Sequence, residues 1–385
     1  KLHVLCSSCA QTLSNLSWQG EAVLTSLDLT NLDTPQVIGS LRTPSNYSAL
    51  QASGGHLLLG TTSYSNVSQA NQLHLIDITA APVILKTFAL RGQVQDKFKL
   101  SLVNGAVVAV TLNWQNWNNR QTWIETFPAA GSVVTPLARL ELEGARGESL
   151  HAARFDGDRL YVVTFLQIDP LFIVDLADPS APVVSGVLEV PGWSTYLEPL
   201  GDRLLAVGVE DGRVTVSLFD VSDVTAPALL SRLPLGPEGR SSWSEANYDE
   251  KAVEFLAEEG VVMVPFESWD WSSGHATKAI QIVNLTEDTL SFGSTIQHDF
   301  NPRRGSLMSG HYVSLSGQEL LVHSTEAGLE NPLVVRLPLA WRADRVVPFG
   351  DFLIQVEDGE TGWNYWNGFA FSRLGFYAAS ESRLR

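Results

Sequence analysis

The stretch Leu171-Phe172-Ile173-Val174-Asp175-Leu176 contains the pattern that decides the fold, an apolar run that reaches one aspartate before a turn. An aspartate between apolar residues recurs at Asp28, Asp77 and Asp220, and each time a Pro-containing turn and another apolar run follow. Asp28 and Asp77 are 49 residues apart, and Asp77 and Asp175 are 98 apart, which is twice that spacing. A repeat of roughly 40 to 50 residues is typical of propellers and solenoids.

Each repeat has the alternating pattern of four short strands, with the aspartate in the third, and helical periodicity is nearly absent. We therefore predict an all-β fold, a single β-propeller of seven or eight four-stranded blades over residues 1–385. The approximate blade units are 1–45, 46–92, 93–146, 147–192, 193–237, 238–301, 302–343 and 344–385. The first unit begins at its second strand, near residues 2–6. We expect a C-terminal strand near 375–379 to complete that blade and close the ring by pairing the N- and C-terminal strands.

In the other repeats, we assign the aspartate position to Thr126, which is the midpoint between Asp77 and Asp175, and then to Asn284, Arg336 and Ser372. An aspartate in such a turn accepts hydrogen bonds from nearby backbone N–H groups. We favour this structural role over a ligand-binding role for the repeated aspartates.

Several stretches in the middle of the chain have a distinctive sequence in addition to the repeat pattern. They are Pro191-Gly192-Trp193-Ser194-Thr195-Tyr196-Leu197 and residues 153–165, 169–176, 217–223, 248–252 and 304–307. Together they resemble a family of secreted bacterial and archaeal proteins with a C-terminal β-propeller domain distantly related to WD repeats. The resemblance implies an exported protein that is secreted, periplasmic or at the cell surface. It implies no particular reaction.

Composition narrows the range of partners. Of the 385 residues, 42 are Asp or Glu and 25 are Lys or Arg, which gives a formal net charge of -17 at pH 7. Because this charge repels phosphate backbones, we expect no nucleic-acid partner. No stretch approaches the roughly 20 apolar residues of a membrane-spanning helix, so we also expect no membrane span.

Tryptophan is the most informative residue type, because ten of the eleven copies avoid predicted strand interiors. Seven fall in loops between second and third strands, and three fall between blades: Trp18, Trp114, Trp117, Trp269, Trp271, Trp363 and Trp366, then Trp193, Trp243 and Trp341. Both loop classes emerge on one face of a propeller, and indoles provide flat apolar area with one N–H donor. We predict an aromatic binding face of Trp114, Trp117, Trp193, Trp243, Trp269, Trp271, Trp363 and Trp366. Inward packing of some of these indoles is an equal alternative.

The only two cysteines, Cys6 and Cys9, lie at the start of the chain. In an exported protein we favour a local disulfide between them over free thiols or a metal site. Acidic turns such as Asp156-Gly157-Asp158 leave calcium open as an alternative, but none has the spacing of a known calcium loop. We therefore predict no metal and no cofactor.

The acidic segment 244–251 enters a predicted inner strand, so Glu245, Asp249 and Lys251 are candidates to line the central channel. A satisfied pair of Asp or Glu with Lys is the simpler interpretation. Signatures of known enzyme classes are missing from the sequence, and we assign no catalytic residue.

These features favour an exported propeller that acts as a scaffold and binds an envelope or surface protein, or a glycan, through its aromatic loop face. One alternative is a hydrolase or lyase with acids at the channel mouth, drawn from Glu245, Asp249 and Glu250. Another is a structural subunit of a cell-surface assembly.

Overall fold

The computed structural model describes the backbone of residues 2–7, 12–14, 17–64, 69–114, 119–166, 169–270, 276–325, 332–339, 342–349, 352–358 and 372–378, and side chains between residues 20 and 339. These residues are all-β, as predicted, with about 65% in strands. Single 3₁₀ turns span Lys97–Lys99, Glu143–Ala145, Glu245–Asn247 and Glu250–Ala252. The chain forms two compact units. The first comprises residues 1–205 and 219–228, and the second comprises 206–218 and 229–385.

The strands pair in chain order into small antiparallel sheets, which we number from the N-terminus. Sheet 1 is formed by β1 (Leu2–Ser7), β4 (Glu21–Asp28) and β5 (Gln36–Pro44), and a hairpin of β2 (Thr12–Ser14) and β3 (Ser17–Gln19) precedes β4. Sheet 2 is β6 (Tyr47–Ser53), β7 (His56–Tyr64), β8 (Gln69–Asp77) and β9 (Val83–Ala89). Sheet 3 is β10 (Leu100–Val103), β11 (Ala106–Trp114), β12 (Arg120–Pro128) and β13 (Ala138–Glu141). Sheet 4 is β14 (Ser149–Asp156), β15 (Arg159–Phe165), β16 (Asp169–Asp175) and β17 (Val183–Val190).

The later strands follow the same order. Sheet 5 is β18 (Trp193–Leu200), β19 (Arg203–Glu210), β20 (Arg213–Asp220) and β21 (Ala228–Pro234). Sheet 6 is β22 (Ser242–Trp243), β23 (Glu254–Leu256), β24 (Val261–Trp269), β25 (Ala276–Leu285) and β26 (Leu290–Gln297), with β22 and β23 both paired to β24. Sheet 7 is β27 (Pro302–Met308), β28 (His311–Ser316), β29 (Glu319–Ser324) and β30 (Leu333–Pro338). Sheet 8 is β31 (Arg342–Phe349), β32 (Phe352–Asp358) and β33 (Ser372–Ala378).

The repeated four-stranded antiparallel sheets confirm the predicted architecture at that level. In sheet 1, β1 pairs with the Asp28-bearing strand β4, so β1 occupies the position of a second strand. At the other end of the chain, β33 pairs with β32, with Ala378 opposite Phe352. The strand predicted near 375–379 is therefore the third strand of sheet 8. The seven or eight blades and the pairing of the N- and C-terminal strands stay predictions.

The strand register corrects part of the repeat alignment. Asp77 lies opposite His56, and Asp175 lies opposite Arg159, so the aspartate faces the first residue of the second strand. Asn284 occupies this position in sheet 6, as predicted, because it lies opposite Val261.

Three other assignments were wrong. The equivalent positions are Pro128, Ser324 and Ala378 rather than Thr126, Arg336 and Ser372. Arg336 lies in the fourth strand β30, opposite Leu321. The midpoint spacing that gave Thr126 fails because strand and loop lengths change between repeats, and a residue count takes no account of pairing.

The repeated aspartates form hydrogen-bonded turns. Asp77 Oδ1 accepts a bond from the backbone N–H of Thr79 at 2.8 Å, and Asp220 Oδ1 accepts one from Ser222 at 2.9 Å. A second acid three positions later repeats the contact, since Asp223 Oδ1 accepts from the Thr225 N–H at 3.0 Å. These N–H and hydroxyl donors stabilise the carboxylates and lower the pKa of Asp77, Asp178, Asp220 and Asp223.

The core lies between successive sheets, because alternate residues of a strand point to opposite faces. In sheet 2, Leu57 and Leu59 pack in the cluster that includes Leu24 of sheet 1. Leu58, which lies between them in sequence, belongs to the cluster shared with sheet 3, where Phe88 stacks on Phe127 with ring centroids 4.7 Å apart. Sheets 2 and 3 are therefore buried on both faces.

We expect acid to destabilise the aspartate turns. A carboxyl group whose pKa is lowered by folding stabilises the fold above its unfolded value, near 3.8, and this contribution is lost as the pH falls through the folded value. The Asp220→Asn/Asp223→Asn variant should be less stable than wild type at pH 6 and should lose less stability on acidification to pH 3. Urea midpoints at both pH values test this. Equal losses in the two proteins would contradict it.

Gly186 provides a test of sheet-to-sheet packing. A Cβ atom there would lie 1.9 Å from the carbonyl oxygen of Val224, in the turn after β20. We expect Gly186→Ala to lower the free energy of unfolding by about 1–3 kcal/mol, since backbone must shift. Gly144→Ala is the matched control, because its Cβ would meet only the Phe172 ring at an ordinary 3.5 Å. Similar urea midpoints for the two variants would show that this contact is not tight.

Candidate ligand-binding site

An irregularity in an inner strand marks the candidate site. The register of β14 against β15 shifts between Leu150 and Ala152, so His151 is an extra, bulged residue. The equivalent pairs β6 with β7 and β10 with β11 carry no such shift, whereas β27 with β28 and β31 with β32 carry one at a similar position. β-bulges re-aim side chains and are frequent beside functional sites.

The bulge places the His151 ring among aromatic side chains. Its centroid lies 5.8 Å from that of Phe165, nearly perpendicular to it, and 6.0 Å from that of Trp193. Phe165 and Trp193 are themselves 4.9 Å apart. All three side chains are partly exposed. They converge because second strands end at the same sheet edge at which first strands begin, and Phe165 ends β15 while Trp193 begins β18.

Burial lowers the pKa of His151 to about 4, with smaller contributions from the positive charges of Lys99 and Arg120. Lys99 is only 1% exposed, and its Nζ donates to the backbone carbonyl of His151 at 3.1 Å and forms an ion pair with Asp96. The imidazole is therefore neutral at neutral pH. A neutral imidazole has one donor and one acceptor nitrogen.

Trp114 extends this surface. The Arg120 guanidinium lies over the indole, 4.9 Å from its centroid, and its Nη1 donates to Ser149 Oγ at 2.7 Å. Arg120 is buried, whereas Trp114 is 52% exposed. Ser149 and His151 are two residues apart on β14, which connects the two groups. We call Trp114, Arg120, His151, Phe165 and Trp193 the aromatic patch.

The second unit carries a separate aromatic pair. Trp243 is 41% exposed and stacks on Tyr248, which is 81% exposed, with centroids 6.1 Å apart. Trp269 ends β24 and is partly exposed, and the adjacent Asp270 is buried in an ion pair with Arg240 at 2.7 Å. Trp269 and Trp243 lie at strand ends rather than in loops.

Other predicted site residues lie outside the described part of the chain. These are Trp117, Trp271, Trp363, Trp366 and Cys9, together with the side chain of Cys6, whose backbone is in β1. The proposed disulfide and half of the predicted aromatic face therefore stay predictions.

The acidic segment 244–251 does not form the predicted strand. It forms two 3₁₀ turns, because Ser244 and Asp249 accept hydrogen bonds from the backbone N–H groups two residues further on. Asp249 pairs with Arg304 at 2.7 Å, while Lys251 is exposed and Glu245 is partly exposed. An ion pair is present, as the simpler interpretation has it, but arginine is the cation.

Sequence analysis missed a polar cluster on inner strands of the first unit. Arg154 Nη2 donates to Glu198 Oε2 at 2.9 Å, and the Tyr196 hydroxyl donates to the same oxygen at 2.8 Å. The Arg154 guanidinium also lies 5.1 Å from the centroid of Phe98. The contacts join β14 to β18, and charged residues within strands were the available signal.

A series of hydrogen bonds with the connectivity of a Ser-His-acid triad links sheet 7 to the connection before it, because Ser314 and Glu319 lie in β28 and β29 while His298 lies between β26 and β27. His298 Nε2 lies 2.9 Å from Ser314 Oγ, and His298 Nδ1 lies 3.1 Å from Glu319 Oε1. Ser314 is 0% exposed, His298 6% and Glu319 2%. A substrate cannot reach such a serine in this conformation, and Arg336 neutralises Glu319 at 3.0 Å. The series satisfies these buried polar groups.

Neither a metal-binding cluster nor a membrane-spanning helix occurs among the described residues. No three histidine, cysteine, aspartate or glutamate side chains of that part of the chain come together to hold a metal ion. No helix within the same residues is long and apolar enough to span a membrane.

Sheets of this kind, with aspartate turns that contact the preceding sheet, define a propeller-type protein. A family model described as a β-propeller domain matches residues 22–319, and the chain belongs to this family. The match covers all of sheets 2 to 6.

Three known proteins are similar to parts or most of this chain. The chain is 34% identical to an uncharacterised protein of Archaeoglobus fulgidus over 177 residues, which are 45% of this chain and 26% of that protein. It is 35% identical to an uncharacterised protein of Methanocaldococcus jannaschii over 156 residues, 39% of this chain and 24% of the other. The chain thus spans about a quarter of the length of these relatives. The periplasmic gluconolactonase of Pseudomonas aeruginosa is similar in fold, with a TM-score of 0.50, 12% identity, and coverage of 87% of this chain and 97% of that one.

We expect His151 to stay neutral well below pH 6. Histidine NMR titration should give it a pKa near 4, and Trp193→Ala, which opens one side of the pocket to water, should raise that value. A pKa near 6.5 in the wild-type protein, or no change in the variant, would show that burial does not control this imidazole.

Proposed function

We propose that this protein is an exported carbohydrate-binding protein and that the aromatic patch of the first unit holds a sugar ring of a neutral surface glycan. The observation that carries the proposal is the bulged His151, held neutral between Phe165 and Trp193. The localisation is supported by the resemblance to a family of secreted proteins.

The chemistry of the patch suits a sugar. Phe165, Trp193 and Trp114 offer flat apolar ring faces, which cover the apolar face of a pyranose. His151 adds a donor and an acceptor without a formal charge, and hydroxyl groups both donate and accept. The cations beside it are engaged, since Arg120 donates to Ser149 and Lys99 pairs with Asp96. A ligand rich in hydroxyl groups therefore fits better than a strongly charged one.

The overall charge supports a neutral glycan over an acidic one. A formal net charge of -17 repels polyanionic surface polymers at long range. Neutral sugars lose little by approaching such a surface. A protein ligand, which tryptophan and arginine also suit, is the alternative use of the same surface.

The purified chain should bind neutral oligosaccharides on a glycan array. Trp193→Ala should weaken binding of the best ligand by roughly tenfold or more in calorimetry, because one ring face is lost. Trp114→Ala should weaken it less, since this indole lies at the exposed margin of the patch. Phe292→Ala is the matched control, because Phe292 is 50% exposed on the outer strand β26.

Several outcomes would contradict the proposal. Wild-type protein that binds no neutral glycan would remove it. Equal affinity in Trp193→Ala and wild type, or loss of binding only in Trp243→Ala/Tyr248→Ala, would move the site away from the patch. Release of shortened sugars would favour the hydrolase or lyase alternative, with its acid among Glu245, Asp249 and Glu250.

A further inference from the structure

A second concave surface lies in the first unit and is lined by residues that are not part of the aromatic patch. It is a groove of about 600 Å³ between β13, the 3₁₀ turn Glu143–Ala145, and strands β16 and β17. Its apolar lining comes from Leu140, Leu142, Phe172, Val184 and Val187. Its acidic lining comes from Glu141, Glu143, Glu148 and Glu189. The groove therefore combines an apolar floor with four acidic side chains.

The carboxylates differ in how they are held. Glu141 is neutralised by Arg146, which donates from Nε at 2.7 Å and from Nη2 at 3.0 Å. Glu148 accepts a 2.5 Å bond from Thr164 Oγ1, and burial, together with the like charge of Glu189, raises its pKa. Glu189 and Glu143 are exposed. The exposed negative charge of the groove therefore comes from Glu143 and Glu189, and the partly buried Glu148 lies within electrostatic reach of Glu189.

The apolar part has an exposed rim over a buried floor. Val187 is 47% exposed at the rim, whereas Phe172, in the floor, is 4% exposed. Gly144 places no side chain against the Phe172 ring, and a Cβ atom there would be in ordinary contact with the ring at 3.5 Å. A long unbranched side chain can lie along such a floor and reach a carboxylate with its end.

We propose that this groove docks a basic, apolar segment of a partner protein, with an arginine stem on Phe172 and Val187 and its guanidinium at Glu148 and Glu189. Charge complementarity selects the occupant, because the carboxylates repel acidic segments. A small hydrated cation would leave the apolar floor uncovered. Arginine fits better than lysine because its planar guanidinium donates to two carboxylates at once. The proposal does not depend on the glycan proposal, because the two surfaces share no residue.

The test uses the whole chain and a phage library of random linear peptides. Panning on wild-type protein should enrich peptides with arginine beside apolar residues. A synthetic copy of the best peptide should then bind in fluorescence polarisation, and affinity should fall as salt is raised from about 0.05 to about 0.5 M. Failure to enrich basic-apolar peptides, or enrichment of acidic ones, would overturn the proposal.

Variants of the groove test whether the peptide binds there. Glu143→Gln/Glu189→Gln removes two exposed charges and should weaken binding at least about fivefold. Gly144→Leu keeps every charge and fills the space beside Phe172, so it should weaken binding as well. Glu238→Gln, an exposed acid outside the groove, is the matched control and should bind like wild type. Unchanged affinity in both groove variants would place the peptide elsewhere and refute the assignment.

Discussion

The contact on which successive sheets depend is made by the turn that follows each third strand. In sheet 4 this turn starts at Asp175, whose Oδ1 accepts the Ala177 N–H at 2.7 Å. The preceding sheet then bonds to the turn, because Thr126 Oγ1 donates to the Pro179 carbonyl at 2.6 Å and Asn104 Nδ2 donates to the carbonyl of Ala177 at 3.2 Å. Each turn is therefore both a local connection and the surface that receives the previous sheet.

Sheet 3 shows that the receiving surface matters more than the aspartate. Its turn follows Pro128, which cannot accept bonds with a side chain, and here Lys86 of sheet 2 supplies the missing polar contacts. The Lys86 Nζ donates to the carbonyls of Pro128 at 2.7 Å and Ala130 at 2.6 Å. Lys86 is only 9% exposed, so the carbonyls stabilise its buried charge. In return, the ammonium group satisfies the hydrogen-bonding capacity of the carbonyls. Two different side chains thus solve the same problem of buried backbone groups.

The sequence predicted the features that depend on local rules. Alternation and the turn acids led to four-stranded sheets, and Asn284 was placed correctly because it lies between Val283 and Leu285, the apolar setting that the aspartates share. Thr126 was misplaced as an aspartate equivalent, yet its hydroxyl reaches the turn of the next sheet, a contact between repeats that no spacing reveals. Predicting the site required even more knowledge of how the strands pair. His151 was not predicted, because a bulge is a property of two strands. Within β14 itself, the bulge appears as a break in the alternation of burial, since the adjacent residues Ala152 and Ala153 are both buried.

The position of the aromatic patch follows from where the turns lie in each sheet. The turns occupy one edge of each sheet, so the opposite edge is free to carry ligand-binding side chains. There the connection from β13 to β14 is tied to β12, since Leu142 donates to the Thr122 carbonyl at 3.0 Å and Gly147 donates to the Arg120 carbonyl at 2.9 Å. Arg120 is thereby fixed through its backbone before its side chain reaches Ser149. A site on such strand ends keeps its geometry without a ligand, and this reduces the entropy lost on binding. The affinity of the patch should then depend on which ring faces it presents rather than on ordering a loop.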